Sequence, residues 1–256
     1  MKTRELVTTR RGLLTGLASL GGLAVTGCSE TVPPTYGNLL RMGDLLNYKA
    51  QRLLLSTGSL AREYDHRDIS SVPAVGTTDP SDSKQGAFSA ERGPLYDRLK
   101  AGAFQDYRLS VEGSVARART FSLAELKRLP SRTQITRHMC EEGWTAISEW
   151  TGVPLRTVLE ACGIRPSARF VTFRPFDEQA DSIDMFDALH PQTILAYGMN
   201  GRDLPIQHGA PLRVRVEKQL GYKSMKFLQR IVVSDGFEDG GKLGNIQNGW
   251  SWYAGI

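Results

Sequence analysis

Three cysteines, four histidines and no C-x-x-C pair stand among the 256 residues, and each scarcity closes off a class of protein. Without paired cysteines there is no disulfide framework. Histidines only at 66, 138, 190 and 208 leave a zinc site of ordinary ligand spacing unsupported. No C-x-x-C-H occurs, so no c-type haem is attached. Repeats are missing too. A strong excess of one charge is also lacking. The net charge is +5, but Lys2, Arg4, Arg10 and Arg11 against Glu5 account for +3 of it within residues 1–27. The remaining 28 basic and 26 acidic residues nearly balance, which argues against a nucleic-acid partner despite a pI of 9.2. Hydrophobic residues at 40% and charged residues at 23% describe an ordinary globular chain, long enough for one sizeable core.

What is present begins with an address. Arg10-Arg11 precede a Gly/Ala/Leu run from Leu13 to Val25, too short and too rich in glycine to span a bilayer. The pattern reads as a twin-arginine export signal over residues 1–27 and predicts a periplasmic protein. Val25-Thr26-Gly27-Cys28 resembles a lipobox, so lipid anchoring through Cys28 and plain cleavage nearby stand side by side. The twin-arginine route carries chains folded before export, chiefly those loaded with a cofactor. If Cys28 is lipidated, Cys140 and Cys162 are the one pair left for an internal disulfide.

Residues 28–106 read as a helical and irregular segment. Leu39, Leu40, Leu45, Leu46, Leu53, Leu54 and Leu55 among polar residues predict one amphipathic helix or two within 36–62. Residues 65–94, rich in Asp, Ser, Gly and Pro, predict a long irregular connection. A second block, 107–256, alternates short strands and short helices. Strands are expected at Tyr107–Val111, Gln134–Met139, Arg169–Phe173, Thr193–Met199, Leu212–Glu217 and Leu228–Val233. Ser122-Leu123-Ala124-Glu125 is a capping box for a helix ending near Pro130, and Pro154 opens another to about Cys162. Asn200-Gly201 marks a hairpin. Without a βαβ rhythm, the pattern predicts a mixed, strand-rich α+β fold.

Three stretches carry chemistry. In Arg137-His138-Met139-Cys140, two basic neighbours favour a thiolate at Cys140, the form that ligates a soft metal centre. A packed, inert cysteine is the competing reading. Arg137 could meet an anionic or oxo substrate and His138 could relay protons, or both could be surface residues of a strand. In His208-Gly209-Ala210-Pro211-Leu212-Arg213, the Gly and Pro bend lets His208 and Arg213 converge, and a guanidinium fork suits phosphate. In Gly221-Tyr222-Lys223-Ser224-Met225-Lys226, backbone N–H groups, a hydroxyl and two ammonium groups make an anion cradle.

Together with Trp144, Trp150-Thr151-Gly152-Val153-Pro154-Leu155 and Ala196-Tyr197-Gly198-Met199-Asn200-Gly201, these stretches resemble the oxidoreductase molybdopterin-binding domain of sulfite oxidases and periplasmic methionine-sulfoxide reductase catalytic subunits. The resemblance runs from about Tyr107 to Ile256 and implies a sulfite-oxidase-type fold. It implies Cys140 as the molybdenum ligand, and His208, Arg213, Gly221, Tyr222, Ser224, Met225 and Lys226 around a molybdopterin without attached nucleotide. Two-electron oxygen-atom transfer on a sulfite, S-oxide or N-oxide type small molecule follows. The electron partner is expected to be a membrane b-type haem protein or a soluble cytochrome c. Two departures bear on substrate: Trp250 stands where sulfite oxidases have an active-site tyrosine, and no Arg-Asn-His segment precedes Cys140. The dimerisation domain of sulfite oxidases is not expected after Ile256, so a monomer is expected. The rival readings are a thiol enzyme using Cys140 with His138, and an exported lipoprotein that has lost the cofactor. Trp144 and Trp150 read as core or pocket-wall rings, and Cys162 as structural.

Overall fold

A computed structural model of the chain describes residues 41–71, 92–177, 180–237 and 250–256. The export signal, Cys28, Leu39, Leu40 and most of the 65–94 connection lie outside these residues. Two sheets organise the fold. The first has the order β2-β1-β10-β5-β6, from β1 (Arg108–Gly113), β2 (Arg119–Ser122), β5 (Phe170–Pro175), β6 (Asp181–Asp184) and β10 (Leu228–Ser234). β1 and β10 run parallel, and the other neighbours run antiparallel. The second has the order β3-β4-β7-β8, from β3 (Arg132–Met139), β4 (Thr145–Pro154), β7 (Ile194–Met199) and β8 (Arg202–Asp203), with β9 (Arg213–Arg215) also paired to β7. The expected strands are all found within a few residues of their expected bounds. β2, β4 and β6 were not foreseen.

One core joins the sheets. Leu109, Val111, Phe173, Ile231 and Val233 from the first meet Val153, Leu195 and Val214 from the second. Helix α4 (Leu155–Cys162) closes it with Leu155, Val158, Leu159 and Cys162, all fully buried. Each of those larger apolar side chains contributes about 1.5–3 kcal/mol by leaving water. Helix α3 (Leu123–Arg128) starts as the capping box predicts, with the Glu125 amide donating to Ser122 Oγ and the Ser122 amide donating to the Glu125 carboxylate. Helix α2 (Arg92–Ala101), unforeseen within the connection, buries Tyr96 against Phe104, Phe176 and Phe227. Cys140 and Cys162 are both free thiols.

Helix α1 (Arg41–Leu54) corrects the amphipathic expectation. Leu46, Leu53 and Leu54 face solvent, at 58%, 84% and 77% exposure, while Tyr48 and Arg52 face the protein. Tyr48 packs edge-on against Trp252 and Tyr253. Arg52 lies over the Tyr48, Tyr253 and Phe186 rings and donates to both Asp184 and Asp187 of helix α5 (Met185–Ala188) and its cap. Polar anchors, not leucines, dock this helix. Beyond it the chain runs along the second sheet: Tyr64 N donates to Ile135 O, and Ser70 N to Ile147 O.

Candidate active site

Cys140 sits where β3 ends, in the tight turn that leads into β4. Its amide donates to Trp144 O and its carbonyl accepts from Gly143 N, at 2.9 and 3.1 Å. The half-buried sulfur faces two carboxylates, Glu141 Oε2 at 3.5 Å and Glu142 Oε2 at 3.7 Å. Burial and those carboxylates push the thiol up to about 11. The expected thiolate-favouring neighbourhood is therefore corrected. Arg137, on the opposite face of the strand, is exposed over the Tyr64 ring at 5.2 Å and does not offset the glutamates. A bound metal ion would deprotonate a coordinating thiol outright.

His138 shares the Cys140 face of β3. Its Nδ1 accepts from Arg215 Nη1 at 2.7 Å, which leaves the ring proton on Nε2. Burial, then Arg215, Arg213 and Lys226, hold the imidazole down at about 2, so it is neutral and does not titrate near neutral pH as expected. Gly221 lies against this ring: a Cβ there would fall 2.4 Å from His138 Nε2. The glycine is thus required by the histidine's position.

The two basic motifs fold onto each other. Val214 N donates to Met225 O, Phe227 N to Gly209 O, and Leu228 N to Leu212 O. Gly209 permits the approach, since a Cβ there would meet Lys226 Cβ at 2.8 Å. Arg213, buried, donates from Nη1 to His208 O and from Nη2 to Ser224 O, at 3.0 and 2.8 Å. Ser224 Oγ accepts from Val216 N, and Lys226 Nζ reaches Gln207 O. Tyr222 stacks at a tilt on Trp250, ring centroids 5.4 Å apart. Lys223 departs from the expected cradle: it is fully buried and paired with Asp181 at 2.6 Å.

Arg215 and Glu217 belong to the site although sequence reasoning passed over them. Glu217 takes the Arg215 guanidinium in a fork, at 3.0 and 2.7 Å, and Gln134 Nε2 donates to the same carboxylate. The signal was Arg213-Val214-Arg215-Val216-Glu217, whose period of two puts three charges on one face. That face is buried, so the charges point inward. Trp150 carries both guanidiniums over its ring, Arg213 at 4.9 Å and Arg215 at 4.5 Å.

Cations outnumber carboxylates here: Arg213, Arg215 and Lys226 have Glu217 and Asp177 as their charged counterparts. Arg213 Nε has no hydrogen-bond partner, and its two other contacts are to neutral carbonyls. Burial and Arg215 lower its guanidinium to about 9. Burial and Arg213 lower Lys226 to about 8; burial, Arg213 and Lys226 lower His208 to about 4. Buried cations that depress one another call for an anion. A phosphate-bearing pterin supplies it, so the residues fit the group. Among the described residues no three His, Cys, Asp or Glu side chains converge as a metal site.

Comparison with known proteins agrees. The family model for the oxidoreductase molybdopterin binding domain matches residues 98–241. A putative protein-methionine-sulfoxide reductase subunit YedZ1 of Azospira oryzae is 34% identical over 96% of this chain and 87% of its own length. The protein-methionine-sulfoxide reductase catalytic subunit MsrP of Xanthomonas axonopodis is 30% identical over 87% of this chain and 69% of its own. The crystal structure of the sulfane dehydrogenase SoxCD from Paracoccus pantotrophus aligns with a TM-score of 0.49 at 26% identity, covering 51% of this chain and 39% of that one. The α+β, strand-rich chain therefore belongs to the oxidoreductase molybdopterin-binding domain family, and it is an oxidoreductase of the sulfite-oxidase type with a molybdenum-molybdopterin cofactor.

Proposed function

We propose that this oxidoreductase removes the oxygen atom of an S-oxide: a sulfoxide, two electrons and two protons become a thioether and water. The buried Arg213 guanidinium, whose Nε has no hydrogen-bond partner, two residues along β9 from the Arg215 that holds His138, carries the cofactor placement. Two relatives named as methionine-sulfoxide reductase components favour the S-oxide.

When bound, the group supplies two-electron redox chemistry at an oxygen atom. Cys140 would hold its metal, Arg213 and Lys226 would neutralise its phosphate, and the neutral His208 would line that end. The 221–226 segment, through Gly221, Tyr222, Ser224 and Met225, walls that end, and no nucleotide is attached. His138, neutral and pinned by Arg215, presents a fixed Nε2–H donor beside the metal ligand rather than a proton relay. Arg137, over the Tyr64 ring on the strand face opposite Cys140, takes no part in this reading. Sulfite is the weaker reading because Tyr253 is committed elsewhere: its hydroxyl accepts from Arg52 at 3.3 Å. Trp250, 39% exposed and packed on Tyr222, stands in the tyrosine's place.

Electrons come from a separate redox protein, of the membrane b-type haem or soluble cytochrome c class. The paired arginines fit twin-arginine export to the periplasm, with Cys28 as lipid anchor or as an incidental residue, and 107–256 as the catalytic block. No helix among the described residues is long and apolar enough to cross a membrane.

Protein made in a molybdopterin-competent host tests this. Stoichiometric molybdenum and pterin are expected in the wild type, and a loss of metal of about tenfold or more in Cys140→Ser. Equal molybdenum in both removes Cys140 from the metal. Dye-coupled reduction of methyl sulfoxides is expected to outpace ferricyanide-coupled sulfite oxidation, and the reverse order overturns the substrate assignment.

A further inference from the structure

Outside the site, a dense polar cluster gathers around Arg52. Its Nε and Nη2 donate to Asp184 at 2.9 and 3.0 Å, Nη2 also to Asp187 Oδ2 at 2.8 Å, and Nη1 to Tyr253. Asp187 is buried, and its Oδ2 accepts a second donor, Gln219 Nε2, at 2.6 Å. One oxygen thus joins helix α1 to a residue two positions before Gly221, the glycine packed on His138.

The same loop is held at its neighbours. Lys218 Nζ donates to Ser59 O at 3.0 Å, just past helix α1. Ala254 N donates to Gln219 Oε1, Leu220 N to Ala254 O, and Ile256 N to Lys218 O. Tyr48 packs on the tail residues Trp252 and Tyr253 that Arg52 also touches. Residues 218–226 therefore lie between two supports, the arm before the catalytic block and the tail after it. Their far end carries Ser224, whose carbonyl holds Arg213, and Lys226.

We propose that Arg52 is a positioning residue for this loop, fixing Gln219 through the shared oxygen of Asp187, so that docking of the 41–71 arm and binding of the pterin reinforce one another. Loss of the guanidinium leaves the buried Asp187 carboxylate, already pushed up by burial and Asp184, without the cation that holds it down, so Gln219 then faces an acceptor driven toward its neutral form. The loop then samples more conformations, and the phosphate end of the pterin is held less firmly. Linkage is reciprocal: what the arm does for the pterin, the pterin does for the arm. The inference rests on the cofactor placement proposed above.

Full-length protein loaded with molybdopterin provides the test. Arg52→Gln and Gln219→Ala are expected to release pterin about tenfold faster than wild type during dialysis, with Arg52→Lys between them because an ammonium lacks the fork. Ser122→Ala is the control for simple destabilisation, since it removes a distant helix cap, and it is expected to keep pterin as the wild type does. Hydrogen exchange of the 45–59 amides in wild type is expected to be about tenfold slower when loaded than in protein from a pterin-deficient host. Release from Gln219→Ala at the control's rate, or arm exchange indifferent to loading, overturns the inference even if Arg52→Gln fails to fold. A wild type that never holds pterin overturns the cofactor placement itself, a different result.

Discussion

Two clusters of buried charge, built from similar parts, differ in one respect. Around Arg52, a guanidinium meets two carboxylates and a phenol, and an amide shares one of the carboxylates, so the cation is paired within the protein. Around Arg213, a guanidinium donates to two carbonyls and lies near another guanidinium, a lysine, two histidines and one carboxylate, Glu217. In the first, the atom left without a partner is a carboxylate oxygen, Asp187 Oδ1, whereas in the second it is a guanidinium nitrogen, Arg213 Nε, which can donate to an anion.

The contrast breaks most visibly at Asp187. Asp187→Ala strips one carboxylate from a guanidinium whose side chain is only 14% exposed, and a loss of about 3 kcal/mol in pterin-free protein is expected, read by urea unfolding. Arg213→Met removes an equally buried charge, yet the pterin-free protein is expected within about 1 kcal/mol of wild type, because relief from Arg215 offsets the lost carbonyl contacts. The same variant is expected to lose pterin. Equal losses of stability in the two variants would erase the distinction drawn here.

Lys226 sharpens the contrast through pH. Its ammonium is held to about 8 against 10.5 for an ordinary lysine, by burial and Arg213, with Asp177 and Cys140 acting the other way. Below about pH 8 it is charged in folded and unfolded chains alike. Between about 8 and 10.5 the unfolded chain keeps a proton that the pterin-free fold has released, so this group makes stability rise with pH. Phosphate-end binding runs the opposite way and is expected to weaken as pH rises through that window. Lys226→Met, followed by pterin-release rates against pH, is expected to flatten the profile. The smallest effect belongs to Ser122→Ala, about 1 kcal/mol from the lost helix cap, visible in thermal unfolding and without effect on pterin.

Sequence showed these two clusters unequally. His208–Arg213 and Gly221–Lys226 were legible because glycine, proline and basic residues at fixed spacing carry turn chemistry that survives folding. The Arg52 cluster was not, because Asp184, Asp187 and Tyr253 lie 132 to 201 residues away along the chain. Local neighbours also misled. Arg137 stands three residues from Cys140 but on the opposite strand face, whereas Glu141 and Glu142 fold back over the sulfur in a turn. Lys223 looked like part of the cradle until Asp181 claimed it. A strand was expected at Leu212–Glu217, yet the burial of its charged face comes from β7, a partner that only the fold supplies.

Trp150 turns the charge imbalance into something that can be watched. Its buried indole has an N–H without a hydrogen-bond partner and two guanidiniums over the ring. One guanidinium is neutralised by Glu217, and the other is the cation that an arriving phosphate would meet. Any anion that settles on Arg213 changes the electric field across that indole without touching it. Comparing the tryptophan emission of wild type with that of Trp150→Phe, which leaves the chain's three other tryptophans in place, is expected to isolate that change as anion is added.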